Sequence, residues 1–247
     1  MVRATSTAII LTAWERAYGT GPLERALVLL SLARPNEPFD QLTRCSIGER
    51  DAALLDLRVK LFGPDVQSLD ACPQCSEKIE ITFSIDGIRV PAQPLPHDMK
   101  VGVDGISLMV RPANTADLIA VERTPSGRLR REALARRCVS VEVSTGDDSP
   151  VAMAPRWNDD NLRTVADKLA EIDPQADVRF ALDCSRCGHG WSSRFDIASF
   201  LWSEIDAWAQ RLLAEVHALA FAYGWAEQDI LGMTAWRRQL YMGMLRR

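Results

Sequence analysis

The stretch Cys72-Pro73-Gln74-Cys75-Ser76-Glu77-Lys78-Ile79-Glu80-Ile81-Thr82-Phe83-Ser84-Ile85-Asp86 carries two signals in succession. The first is a pair of cysteines with two residues between them. At that spacing a tight turn aims both thiolates at one ion, with a backbone N–H close to sulfur. The second is the alternation of Ile79, Ile81, Phe83 and Ile85 with polar residues, the period of two that places side chains on opposite faces of a strand. Cys184-Ser185-Arg186-Cys187 keeps similar company. Val178, Phe180 and Leu182 alternate before it, and Trp191, Ser193, Phe195 and Ile197 follow. A knuckle at the tip of a hairpin is the zinc-ribbon arrangement, whereas a thioredoxin-like redox pair opens a helix, whose dipole lowers the thiol pKa. Two knuckles supply a tetrahedral four-sulfur site, which suits zinc. The pattern therefore favours one structural Zn2+ held by Cys72, Cys75, Cys184 and Cys187, ahead of a metal-free or a redox pair. More than a hundred residues lie between the knuckles, so a long insertion separates the two halves of the site.

Helical spacing takes over on both sides. Residues 1–70 read as a helical region: Ile9, Ile10, Ala13, Trp14 and Ala17 share a face that Gly19 ends. Pro22 suits a first helical turn ahead of Leu23, Ala26, Leu27 and Leu30. Ser46-Ile47-Gly48-Glu49 fits a capping box, and Gly63-Pro64 closes that helix. Residues 71–196 read as mixed. A Pro-rich linker (91–96) leads to a hairpin about Asp104-Gly105, a helix capped by Thr115, a basic helix over Arg128–Arg137, a loop at Gly146–Pro150 and a helix from Asn158 or Asp159 to Asp173-Pro174. Residues 197–247 read as helical again, with Ile197, Leu201, Ile205, Trp208, Leu212, Val216 and Leu219 in one stripe, Gly224 as its end and Thr234 as the cap of a last helix. The fold class is α+β: helical N- and C-terminal regions around a mixed insertion framed by two knuckles.

Composition narrows the function. The chain has 247 residues, 47% apolar and 25% charged, with net charge −4. A large core can be buried, and a whole-surface nucleic-acid binder is disfavoured. No apolar run reaches the roughly 18–20 residues that span a bilayer, and no cleavage site follows Ala8–Trp14, so a cytoplasmic protein is expected. No Walker A loop, G-x-G-x-x-G, G-x-S-x-G or H-E-x-x-H occurs, which argues for a non-enzyme without a small-molecule substrate. His97 reads as a solvated loop residue, His189 as a turn residue or a supporting group at the metal, and His217 as a packed helix residue. Cys45 and Cys138 read as small buried apolar residues. Arg128, Arg130, Arg131, Arg136 and Arg137 read first as a solvated helix face. The last helices gather Trp225, Trp236, Arg237, Arg238 and Tyr241, with Arg246 and Arg247 beyond and no lysine. Aromatic and Arg enrichment is the composition of an interface, so these five are the candidate partner-binding residues.

Several segments resemble one family. They are Trp14-Glu15-Arg16 with Pro22–Leu27, Gly48-Glu49-Arg50-Asp51 through Leu61-Phe62-Gly63, and the first knuckle. Arg111-Pro112-Ala113-Asn114-Thr115-Ala116-Asp117-Leu118 is similar to a segment of T-even-type hub assembly proteins. Phe195–Trp202, Glu215–Ala220, Tyr223-Gly224-Trp225, Asp229-Ile230-Leu231 and Arg237-Arg238 complete the likeness. The chain resembles the baseplate and baseplate-hub assembly proteins of contractile phage tails and phage-tail-like injection systems. The knuckles depart from the T-even pattern, which makes this a zinc-ribbon-containing variant. The resemblance implies a non-enzymatic assembly or structural role, partners among other baseplate or tail proteins, and a place in the particle. The alternative is a zinc-ribbon nucleic-acid-binding or regulatory adaptor, which would want a basic ribbon; Glu77, Glu80 and Asp86 stand there instead.

Overall fold

Ser46 and Glu49 show how the chain sets its first long boundary. The Ser46 hydroxyl accepts from the Glu49 N–H and the Glu49 carboxylate from the Ser46 N–H, so two otherwise unpaired donors at the start of a helix are satisfied together. A computed structural model describes residues 7–91, 99–141 and 155–245. Most of the Pro-rich linker, His97, the Gly146–Pro150 loop, Arg246 and Arg247 lie outside them. In chain order the elements begin with α1 (Thr7–Ala17), α2 (Pro22–Ala33), α3 (Phe39–Arg44) and α4 (Ile47–Phe62). There follow β1 (Asp65–Ala71), β2 (Lys78–Ser84), β3 (Met99–Val103), β4 (Ile106–Val110), α5 (Thr115–Val121), α6 (Arg128–Cys138) and β5 (Val139–Val141). The chain continues with α7 (Asp159–Ile172), β6 (Arg179–Asp183), β7 (Gly190–Arg194), α8 (Ile197–Tyr223), α9 (Glu227–Gly232) and α10 (Ala235–Leu245). Helices and small antiparallel sheets together make the fold α+β, and none of the described helices is long and apolar enough to cross a membrane.

The chain divides into two units, residues 33–197 and residues 1–32 with 198–247. In the first, two hairpins stand apart from a three-stranded sheet ordered β3-β4-β5. Asp104 and Gly105 turn β3 into β4 with φ of 51° and 77°, the left-handed pair that a tight hairpin turn needs. Asn161, on α7, donates to the Asp104 carboxylate and fixes that turn. Val103, Leu108, Ala135, Trp157, Leu162 and Val165 form the core over this sheet.

Thr115 does not cap α5 as the sequence suggested. Asn114 does, in a reciprocal box with Asp117, and Thr115 is buried instead. Asp117 is then free to grip two guanidiniums: Arg111 in a two-pronged pair at 2.7 and 3.0 Å, and Arg137 at 3.0 Å. Arg137 is thus one of several α6 arginines with structural work. Arg128 is bound to the Trp157 carbonyl, Arg130 donates to the Glu122 and Thr124 carbonyls, and Arg136 pairs with Glu132. The helix that reads as a solvated basic face is pinned along much of its length.

In the second unit the long stripe of α8 buries Leu201, Ile205, Leu212, Val216 and Leu219. Trp14 donates to Asp206, and Arg25 lies over the Trp202 ring at 4.8 Å. Gly224, at φ 69°, stops α8. Trp225 and Tyr241 close a second core on Leu212, Leu219 and Ile230.

Candidate metal centre

Each knuckle closes the tip of one hairpin. The β1–β2 register ends at Ala71↔Lys78, and the Cys72 N–H then donates to the Glu77 carbonyl at 2.9 Å. The Ser76 N–H turns back to the Cys72 carbonyl at 2.8 Å. The second knuckle repeats this link for link. The β6–β7 register ends at Asp183↔Gly190, the Cys184 N–H donates to the His189 carbonyl at 2.9 Å, and the Gly188 N–H to the Cys184 carbonyl at 2.9 Å. Ser76 and Gly188 occupy the same position, one past the second cysteine, with φ of 60° and 70°. A left-handed residue there is what lets both sulfurs of a pair face the same point.

The two tips meet. Cys72 Sγ lies 3.7 Å from Cys187 Sγ, and Cys75 Sγ lies 3.5 Å from Cys184 Sγ. All four sulfurs fall within 4.8 Å of one another, Cys72 and Cys184 buried, Cys75 half-buried and Cys187 exposed. A tetrahedral four-thiolate zinc site has Zn–S bonds of about 2.3 Å and hence sulfur–sulfur edges of about 3.8 Å. The donor set and its spacing therefore fit a metal ion of that size and preference.

The thiols respond to this crowding in opposite directions. At Cys75 the Glu77 N–H favours the thiolate, but burial and the neighbouring Cys184, Cys187 and Cys72 outweigh it and push the thiol up to about 12. At Cys184 the N–H groups of Cys187 and Arg186, with the Cys75 and Cys187 thiols, outweigh burial and bring it down to about 7. Backbone N–H groups aimed at sulfur are what a thiolate ligand needs.

Side chains fasten the hairpins together away from the sulfurs. Phe83 of β2 meets Phe180 of β6 at 4.7 Å and Phe195 at 5.2 Å between ring centroids. The Trp191 indole N–H donates to Asp70, and Arg186 pairs with Glu77 across the knuckles at 3.3 Å. His189 stacks its ring on Trp191 and offers the site its backbone. The strand pattern contained Phe83, Phe180 and Phe195, yet only the pairing of hairpins reveals that they form one cluster.

The C-terminal candidates separate by depth. Trp236 is 72% exposed, and Arg237 is exposed with its guanidinium 6.0 Å from the Tyr241 ring. Trp225 and Tyr241 pack against each other at 4.8 Å on the α8 core. Arg238 is only 4% exposed, held by Glu215 at 3.1 Å and the Met233 carbonyl at 2.7 Å. His217 is exposed rather than packed, stacked on Phe221. Cys138 is buried, and Cys45 is half-buried.

Residues 36–202 match the family model described as T4 bacteriophage base plate protein. That stretch contains both knuckles and nearly all of the unit formed by residues 33–197. No curated protein and no solved structure matches the chain.

Proposed function

The chain belongs to the T4 bacteriophage base plate protein family, and from that premise we propose that it is a non-enzymatic component or assembly factor of the baseplate hub of a contractile tail or tail-like injection system, with a structural Zn2+. The observation that carries the metal half is the closure of four sulfurs from two distant hairpins to within 4.8 Å. Cys72, Cys75, Cys184 and Cys187 would hold the ion as thiolates. When bound, Zn2+ supplies four bonds that join the two ends of the insertion, and a closed four-thiolate set leaves no position for substrate. The chain's own residues align the knuckles: Ser76 and Gly188 by their left-handed turns, Phe83, Phe180 and Phe195 by packing.

Other baseplate or tail proteins are the partners in this reading. The helices from Gly224 onward are proposed as the docking element, with Trp236 and Arg237 at the surface and Trp225, Arg238 and Tyr241 holding α10 in place. Two measurements test the reading. Mass spectrometry of purified particles, or of assembly intermediates if the protein leaves before completion, should find the chain in fixed ratio to baseplate proteins. Elemental analysis should find about one zinc per chain. Particles and intermediates without the chain, or a folded protein without zinc, would each remove one half of the proposal.

A further inference from the structure

Helix α10 is apolar on two opposite faces. At about 100° per residue, Arg238, Tyr241 and Met242 point to one side, and Trp236, Leu240 and Met244 recur at i, i+4 and i+8 on the other. The first side is used: Arg238 is buried against Glu215, and Tyr241 and Met242 pack on the core of Leu212, Leu219 and Ile230. The second side is bare: Trp236, Leu240 and Met244 are 72%, 45% and 59% exposed. A row of three large apolar side chains on one exposed helix face is the form in which a helix enters a partner's groove.

The charge beside the row says what kind of groove. Residues 230–247 hold four arginines, Arg237, Arg238, Arg246 and Arg247, and no acidic residue or lysine, in a chain of net charge −4. Glu215 answers Arg238 inside the fold. Among the described residues Arg237 forms no ion pair, and it borders the row one position after Trp236. Pairing α10 with α10 of a second copy would bring guanidiniums from both copies together with no carboxylate between them on either helix, which like-charge repulsion disfavours. A partner with carboxylates at the rim of an apolar cleft satisfies both the row and the arginine.

We propose that Trp236, Leu240 and Met244, edged by Arg237, insert into an apolar groove rimmed by carboxylates on another protein of the particle. This rests on the baseplate reading but adds the face, the anchors and the partner's chemistry. The helix lies outside the stretch that matches the family model.

The test uses the full chain expressed with the particle's other proteins. A photo-crosslinking amino acid, p-benzoylphenylalanine, at position 240 should give an adduct with another baseplate protein, mapped by mass spectrometry to a site bearing at least two acidic side chains. Trp236→Ser with Leu240→Ser and Met244→Ser should lower incorporation into particles at least tenfold while leaving zinc content and melting temperature unchanged. Arg237→Glu should weaken incorporation similarly, Arg237→Lys only slightly, and reversing the mapped acidic residues to lysine should restore Arg237→Glu. A cross-link to a second copy, an adduct on an uncharged or basic surface, or binding of the free chain to phosphatidylglycerol vesicles through this face would overturn the inference. So would normal incorporation of the triple variant. If that variant misfolds, the cross-link from the otherwise native chain decides. Absence of the wild-type chain from particles and intermediates would instead count against the baseplate reading itself.

Discussion

Asp51 and Asp117 are both buried carboxylates beside arginine, yet their surroundings drive them in opposite directions. Burial lifts the Asp51 carboxyl to about 6, against the pull of Arg50, with Asp196 raising it further and Arg194 lowering it. At Asp117 burial also pushes up, but hydrogen bonds from Arg111, the Asn114 N–H and Arg137 outweigh it and hold the carboxyl below its ordinary value. The two groups should therefore give stability opposite slopes with pH. For Asp51, both folded and unfolded chains hold the proton below about pH 4; the unfolded chain releases it first, so stability falls as pH rises to about 6 and is then level. Asp51→Asn should remove that component. The wild type's advantage over the variant is expected to shrink by up to about 3 kcal/mol between pH 4 and pH 7, read by urea unfolding at each pH. A pH-independent difference would contradict the assignment. For Asp117 the contribution is present above about pH 4 and is lost as pH falls below it. Asp117→Ala strands two half-exposed guanidiniums and removes the reciprocal arm of the α5 capping box, leaving the Asn114 cap itself, so a loss of about 2–4 kcal/mol is expected at pH 7. This pair also gives the Arg111…Asp117 segment a physical meaning: an arginine and an aspartate six residues apart, folded back on each other around Asn114.

The two knuckles differ at one informative position. Ser76 and Gly188 share a left-handed backbone, which a side chain resists by about 1 kcal/mol or more and glycine does not. Beyond its two chain neighbours, no atom of the described residues lies within 4 Å of a Cβ built on Gly188, so the cost of a side chain there is the backbone's. Ser76→Gly is expected to stabilise the zinc-loaded protein by about 0.5–1 kcal/mol, and Gly188→Ser to destabilise it by about 1 kcal/mol. Thermal unfolding in excess zinc compares them, and equal shifts of the same sign would show that the knuckles are not equivalent. The knuckles were readable because their information is local: two cysteines three apart, followed by alternating residues. The same locality exposed α4 through its capping box and the β3–β4 turn through Asp104-Gly105. Strand β1 escaped the reading, because Asp65-Val66-Gln67-Ser68-Leu69-Asp70-Ala71 buries only Val66 and leaves Leu69 exposed. The α6 arginines Arg128, Arg130, Arg131, Arg136 and Arg137 are exposed, as a solvated face requires; what the sequence does not show is that Arg128, Arg130 and Arg137 also reach backbone carbonyls and the Asp117 carboxylate, brought near by tertiary folding. On α10 the apolar residues occupy two faces, and composition alone cannot say which face the core takes.

The separation between the two halves of the site turns a local motif into a long-range constraint. Cys75 and Cys184 are 109 residues apart and touch at 3.5 Å. A link closing a loop of about a hundred residues removes chain entropy from the unfolded state worth about 4–5 kcal/mol, and metal binding is coupled to folding by that route. Apart from the sulfurs, the hairpins are joined by the Phe83–Phe180–Phe195 cluster and the Arg186–Glu77 pair. The first is a small core and the second a surface ion pair of at most about 1 kcal/mol. The unit formed by residues 1–32 and 198–247 contains none of the four cysteines, and none of them is among the residues of its core at Leu212, Leu219 and Ile230. Removing the proposed ion should therefore act unequally along the chain. With chelator, or in Cys72→Ser with Cys75→Ser, amide hydrogen exchange is expected to accelerate at least a hundredfold in β1, β2, β6 and β7. The α8 amides around Leu212 and Leu219 are expected to change by less than threefold. Uniform loss of protection over both units would mean that they unfold as one body, and unchanged protection in the four strands would mean that the sulfurs hold no structural ion.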